Sequence, residues 1–171
     1  MSIRTLLGTI GLLLSFAPHA QMSKDSLLKI IGENRKDAEE ARTLIYLASE
    51  YLRSNTDKAK AYSFSALALA QTLSNPDLES GPLSLLITLH TNTGQIDSAQ
   101  YYLAQLGRLA SLHSLSMHAK LHYNYNSSAG LFYKKQSAYK KALPYMVKAA
   151  QVSVQMNNQE MAAGEFLNIG N

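Results

Sequence analysis

The sequence predicts an all-α protein, an α-solenoid of antiparallel helix pairs. Apolar residues recur at helical spacing from residue 23 onward, and polar or glycine-containing clusters interrupt them about every twenty residues. The 171 residues include only four Pro and nine Gly, which favours long helices. A small residue stands near the start of every second helix, at Ala59, Ala99 and Ala142, which are 40 and 43 residues apart. Because one helix pair cannot cover its own apolar face, neighbouring pairs are expected to stack.

The first twenty residues have the pattern of a secretory signal peptide. Arg4 precedes an apolar run over 6–17, and the small Ala20 precedes Gln21. We expect cleavage after Ala20, which leaves residues 21–171 as one helical repeat domain. The apolar run is shorter than the roughly 20 residues that a membrane-spanning helix needs, and an uncleaved anchor is the alternative.

Charge and cysteine usage narrow the class of protein further. Removal of Arg4 with the signal lowers the 16 basic residues to 15, against 12 acidic ones, so the exported domain is mildly basic. Cysteine is absent, which excludes disulfides, thiolate metal sites and a lipid-modified cysteine. The sequence predicts a periplasmic or secreted protein whose mature domain does not insert into a membrane unless the signal stays uncleaved.

The domain begins with two helices bounded by polar residues. A first helix is expected over 24–34. A second begins near Asp37, whose carboxylate can cap it while Glu40 returns a hydrogen bond, and it runs to about Arg53.

The remaining helices follow in pairs. Residues 55–57 turn the chain into a third helix, and Asn75 with Pro76 is expected to stop it. Gly94 then ends the first helix of the next pair. The predicted repeats cover about 37–76, 79–114 and 117–157, with a partial fourth repeat over 159–171.

Two segments resemble the tetratricopeptide repeat (TPR). Segment 47–73, with Asp57-Lys58-Ala59 at its centre, is similar to the family pattern L-A/G-x-x-Y, D-x-A-L and A-L-x-L-A. Segment 130–150 is similar to G-x-x-Y, Y-x-K-A-L and K-A-A. The middle repeat fits only at its turn, 93–99, and the repeat spacings exceed the family's length of about 34 residues. The resemblance implies a right-handed superhelix in which the first helix of each pair, helix A, lines a concave groove.

The end of the sequence also fits an incomplete repeat. Residues 166–171 look like the opening of another helix A, and they are apolar where a solenoid end is polar, so we expect a fragment of a longer protein. With the export signal and the opening at 25–28, the chain resembles the N-terminal extracytoplasmic region of bacterial TPR-containing sensor or regulator proteins. Such proteins continue into a histidine-kinase or helix-turn-helix output module.

The resemblance implies binding of a protein or peptide in the concave groove. Thr88 and Asn124 are expected to face one channel from adjacent A helices. The chain lacks the Lys and Asn set by which chaperone-type relatives hold a C-terminal carboxylate, because Ile45, Leu85 and Ser128 stand at three of those positions. The register places eight small or polar residues along the groove, namely Arg42, Ser49, Ser84, Thr88, Thr91, Asn124, Ser127 and Lys134.

Catalytic and cofactor motifs are missing from the sequence. It contains no G-x-S-x-G elbow, glycine-rich phosphate loop or kinase motif. His118 and His122 have a spacing that can chelate zinc, with His113 nearby, but Ala119 replaces the Glu of H-E-x-x-H. We therefore expect no catalytic residue, cofactor or metal, and a metal-dependent enzyme is the least favoured alternative.

The basic residues give only a weak indication of nucleic-acid binding. The densest group is Lys134, Lys135, Lys140 and Lys141, and a solvated surface explains it most simply. No nucleic-acid partner is expected. The leading hypothesis is a non-catalytic binding module that senses a partner outside the cytoplasm, and the alternative is a free-standing exported scaffold that assembles other proteins.

Overall fold

The computed structural model describes residues 23–170, and within them it contains eight α-helices and no β-strand. The predicted all-α class is confirmed for this part of the chain, whereas the predicted signal peptide, 1–20, lies outside the described residues. The helices are α1 Lys24–Gly32, α2 Ala38–Tyr51, α3 Thr56–Thr72, α4 Pro76–Asn92, α5 Ile96–Leu112, α6 Ala119–Lys135, α7 Tyr139–Gln155 and α8 Gln159–Gly170.

Helix α2 begins at the predicted cap, but its second hydrogen bond differs from the prediction. The Asp37 carboxylate accepts from the backbone N–H groups of Glu39 and Glu40. The Glu40 carboxylate accepts from the N–H of Lys36, at 2.7 Å, rather than from that of Asp37 itself. The polar entry to the helix is therefore one residue longer than a standard capping box.

The prediction that Asn75 and Pro76 stop the third helix is wrong, because both residues belong to the start of the next helix. Helix α3 already ends at Thr72, and the Asn75 side chain caps the next helix by accepting from the N–H of Leu78. Pro76 is the first residue of α4, where proline needs no backbone donor and its fixed φ suits the helix. Helix α4 consequently starts three residues before the predicted repeat boundary at 79.

One three-residue turn occurs four times between consecutive helices. Its middle residue has a left-handed backbone conformation each time. The backbone N–H of the residue that follows donates to the carbonyl oxygen five residues before it, as in a Schellman motif. Gly94 is the single glycine among these four positions. The middle residues and their φ angles are Ser74 (49°), Gly94 (73°), Ser137 (58°) and Asn157 (53°).

These short turns fold consecutive helices against each other. Helices α2 and α3, α4 and α5, and α6 and α7 pack as antiparallel pairs, and α4 also contacts α2, α3 and α6. The largest cluster of buried side chains lies among α3, α4, α5 and α6 and includes Leu86, Leu106, Leu121 and Phe132.

Helices α4 and α6 lie side by side and parallel. Three contacts between them join residues 44 positions apart, namely Asp77 with Leu121, Ser80 with Asn124, and Ser84 with Ser128. A constant offset along two helices is possible only when both run in the same direction. Among the described helices, none has the length and apolar character needed to cross a membrane.

Candidate functional site

A polar seam joins α4 to α6, and it begins with a cap supplied from another helix. His118 precedes α6 but makes no capping hydrogen bond to it. Asp77 of α4 takes this role, because its Oδ1 accepts from the N–H of Leu121 at 3.1 Å while its Oδ2 lies 3.2 Å from His118 Nδ1. The Asp77 carboxylate thus stabilises the start of a helix 44 residues away in sequence.

Two of the predicted groove residues belong to this seam. The Asn124 carboxamide donates to the Oγ of the fully buried Ser80 at 2.7 Å. The Ser84 hydroxyl lies 2.6 Å from the Ser128 hydroxyl and 3.4 Å from the Asn124 carbonyl oxygen. The structure brings Ser84 and Asn124 together, and it engages their side chains in contacts between the two helices.

Two further residues of the predicted groove connect α6 to α8. The Ser127 hydroxyl donates to Glu165 Oε1 at 2.6 Å, and Lys134 Nζ donates to the Asn168 carbonyl at 2.8 Å. Glu165 is only 2% exposed, and its Oε2 has no hydrogen-bond partner among the described residues. The Tyr123 hydroxyl also donates to Oε1, and burial, followed by the Glu165 charge, raises the pKa of Tyr123 to about 12.

The other four residues of the predicted groove, Arg42, Ser49, Thr88 and Thr91, form no hydrogen bond to another helix among the described residues. Arg42 is exposed, and the exposed Ser49 donates to the backbone of its own helix. The hydroxyl of Thr88 donates to the Ser84 carbonyl, whereas that of Thr91 is buried without a partner in the described part of the chain. Within α4, then, Thr88 bonds to its own helix while Ser84 bonds across to α6.

The three histidines considered for a metal lie close together but have other contacts. The His113 and His118 rings meet edge to face with centroids 4.9 Å apart. His122 Nε2 donates to the His113 carbonyl at 2.7 Å, and His118 faces Asp77. Among residues 23–170, no group of three or more His, Cys, Asp or Glu side chains is arranged to hold a metal ion.

Sequence reasoning missed a pocket of about 440 Å³ on the side of the B helices, the second helices of each pair. It lies between α3 and α5, with His90 of α4 also lining it. Its residues are Lys60, Phe64, His90, Gln95, Asp97, Ser98, Tyr101 and Tyr102. The signal in the sequence was the aromatic residues at positions 64, 101 and 102 of two B helices. The structure leaves Phe64 41% and Tyr101 61% exposed.

His90 is the most deeply buried polar residue of this pocket, with 6% of its surface exposed. Its Nδ1 lies 2.6 Å from Gln95 Oε1, and its ring stacks on Tyr102 with centroids 5.5 Å apart. Its Nε2 is buried and has no partner among the described residues.

A second, apolar pocket of about 480 Å³ lies between α7 and α8. Val147 and Val154 line it from α7, and Phe166 and Ile169 from α8. Phe166 is 59% exposed, so this end of the described helices is apolar.

Comparison of the sequence and the fold with protein-family models, with curated proteins and with solved structures found no match in any of the three.

Proposed function

We propose that this chain is a non-catalytic module of the TPR type that binds a protein or peptide partner along the face formed by its A helices, α2, α4, α6 and α8. The finer architecture is part of the proposal. The helix pairs form a right-handed α-solenoid, and each pair packs on the next.

The hydrogen-bonded alignment of α4, α6 and α8 is the observation that carries this proposal. The constant offset between α4 and α6 supports a repeating unit, and the bonds from Ser127 and Lys134 to α8 extend the same row. Helices held side by side present one continuous wall, and an extended partner segment needs such a wall because it makes contacts over several repeats.

We also propose that the domain is the exported sensing part of a longer signalling protein. The pattern over 1–20 supports export, and the resemblance of 47–73 and 130–150 to the repeat family supports a role in recognition rather than catalysis. The bound partner then acts by changing how the A helices pack, because those helices share the contact surface.

Selection of binders from a random peptide library, followed by fluorescence anisotropy with one selected peptide, tests the binding role. Arg42→Glu and Thr88→Glu change side chains of the A helices that make no bond between helices in the described structure, so they should weaken peptide binding several-fold and leave the circular dichroism spectrum unchanged. Lys140→Glu with Lys141→Glu is the control on α7 and should have little effect. If no peptide is selected, or if only the lysine changes abolish binding, the proposal is wrong.

The structure changes which variants this test can use. Asn124 was expected to face the same channel as Thr88, but its carboxamide donates to the hydroxyl of the buried Ser80. A carboxylate at position 124 would lose that donor and disturb the α4–α6 contact, so weaker binding by such a variant would not separate recognition from folding.

A further inference from the structure

The pocket between α3 and α5 has the features of a site for a single aromatic side chain. Its volume of about 440 Å³ lies within the range of small-ligand pockets. We propose that it binds an indole or phenol ring, the side chain of a Trp or Tyr in a partner segment, whose N–H or O–H donates a hydrogen bond to His90. This inference goes beyond the proposed function, because the pocket lies between the B helices α3 and α5 and not on the face of the A helices.

Three aromatic rings form the wall of the pocket. Tyr102 meets Tyr101 edge to face, with centroids 5.2 Å apart and planes at 73°, and it meets Phe64 at 6.5 Å and 57°. Phe64 and Tyr101 keep much of their surface exposed although both lie beside Tyr102. Ring pairs at such distances and tilts attract each other, so an added ring gains both apolar burial and oriented ring contacts.

The charges of the pocket favour a neutral ligand. Lys60 Nζ lies 5.9 Å from the Phe64 ring centroid, so a cation already occupies one aromatic face and would repel a cationic ligand. Asp97, on the first turn of α5, would repel an anion. One positive and one negative side chain leave no net charge when the imidazole is neutral, and a neutral ring meets neither repulsion.

His90 adds the requirement for a hydrogen-bond donor. Gln95 Oε1 is an acceptor, so the Nδ1 that faces it at 2.6 Å carries the proton. In a neutral imidazole the other nitrogen, Nε2, is then an acceptor, and it is buried without a partner among the described residues. A buried acceptor without a donor is unfavourable, whereas an indole N–H or a phenol O–H that reaches it satisfies it.

Access to Nε2 requires a movement of the pocket wall, because the atom is covered. Tyr101 has the most freedom among the three rings because 61% of its surface is exposed. The proposal therefore includes a change in the Tyr101 side chain on binding.

N-acetyl-L-tryptophanamide is a suitable probe because the chain contains no Trp. Its indole fluorescence can be excited at the red edge of tyrosine absorption and its anisotropy followed during titration with the full chain. We expect binding, and we expect the 1-methyl analogue, which lacks the indole N–H, to bind about three- to tenfold more weakly, the ratio that one hydrogen bond supplies. Absence of binding, or equal binding of the two probes, would overturn the inference.

Two variants locate the site. Tyr101→Ala should weaken binding several-fold, whereas Tyr139→Ala, which removes a ring of nearly equal exposure (60%) from α7 outside the pocket, should not. His90→Phe should remove the preference for the probe with a free N–H. If His90→Phe does not fold, imidazole ¹⁵N spectra of the unmodified chain should show the Nε2 signal of His90 move on addition of the probe, and an unmoved signal would count against the inference.

The outcome is distinguishable from failure of the proposed function. If a selected peptide binds the chain and responds to Arg42→Glu, but the tryptophan probe does not bind, the pocket inference fails and the binding role of the A helices stands. If Tyr139→Ala weakens probe binding as much as Tyr101→Ala does, the probe binds outside the pocket and the inference is wrong.

Discussion

Replacement of Gly130 by Ala tests the close approach of α6 to α7 within one helix pair. A Cβ atom at position 130 of α6 would lie 2.5 Å from Met146 Cγ and 3.4 Å from the Met146 backbone nitrogen on α7. Met146 is 4% exposed, so its side chain has little room to move aside. Gly164 of α8 is the matched control, because a Cβ there meets nothing within 4 Å.

The two substitutions should change stability in different directions. Replacing glycine by alanine inside a helix raises the free energy of unfolding by about 0.5–1 kcal/mol, and Gly164→Ala should show this full increase. At Gly130 the same gain is opposed by overpacking of about 1–3 kcal/mol. The difference between the variants is then about 1–3 kcal/mol, or roughly 2–12 °C in melting temperature for a chain of this size.

Thermal unfolding followed by circular dichroism measures this difference. Gly81→Ala should fall between the other two variants, because its Cβ would lie 3.2 Å from the tip of the Ile45 side chain, which can shift more easily than backbone. A melting temperature for Gly130→Ala equal to or above that of Gly164→Ala would refute the close approach of α6 and α7.

Three other predictions follow from the contacts and the sequence. Asp77→Ala removes the cap that α4 supplies to Leu121, so it should lower the free energy of unfolding in urea by about 0.5–2 kcal/mol. Asp57→Ala, which removes a first-turn carboxylate of α3, should lower it less. Equal losses for the two variants would contradict the cap. Burial raises the pKa of Tyr123 from 10.0 to about 12, so the folded state keeps this proton at pH values where the unfolded chain has lost it. The contribution of Tyr123 to the free energy of unfolding is therefore present below pH 10 and is lost as the pH rises to about 12. Tyr123→Phe should make the fall in melting temperature over that range shallower, and an unchanged slope would disprove the assignment. The intact mass of protein from the cell-envelope fraction should correspond to a chain beginning at Gln21, and retention of Met1 would favour an uncleaved anchor.

Helix existence was predictable because it depends on local patterns. Helical spacing alone places Leu86, Leu106 and Ala149 on the apolar faces of their helices, and each is fully buried. The apolar period and the polar breaks are properties of short stretches of chain, so no distant contact is needed to read them.

Helix ends were less predictable because several residues can serve either neighbouring helix. Asn75 and Pro76 were expected to end α3 but instead begin α4. The recurring turn was also missed, since its left-handed position is Ser74, Ser137 or Asn157 as well as Gly94. Only the glycine shows in the sequence that a left-handed residue is favoured there.

The predicted groove illustrates what register alone leaves open. Repeat spacing places Ser84 and Asn124 on helix A, but it does not say which side of the helix a small polar side chain contacts. The offset of 44 residues between α4 and α6 sets Asn124 against Ser80 and Ser84 against Ser128. The pocket at His90 depends in the same way on how far α3 stands from α5.

The sequence by itself determined the helical class, the pairing of consecutive helices and most of the core, because apolar period, caps and short turns act within one or two helices. Tertiary structure decided which polar side chains join helices and which remain exposed. Asp77 caps α6 from another helix, and Glu165 receives bonds from Tyr123 and Ser127. Such contacts span about 40 residues of chain and depend on the relative rotation and spacing of whole helices, which many packing contacts fix together and no local pattern encodes.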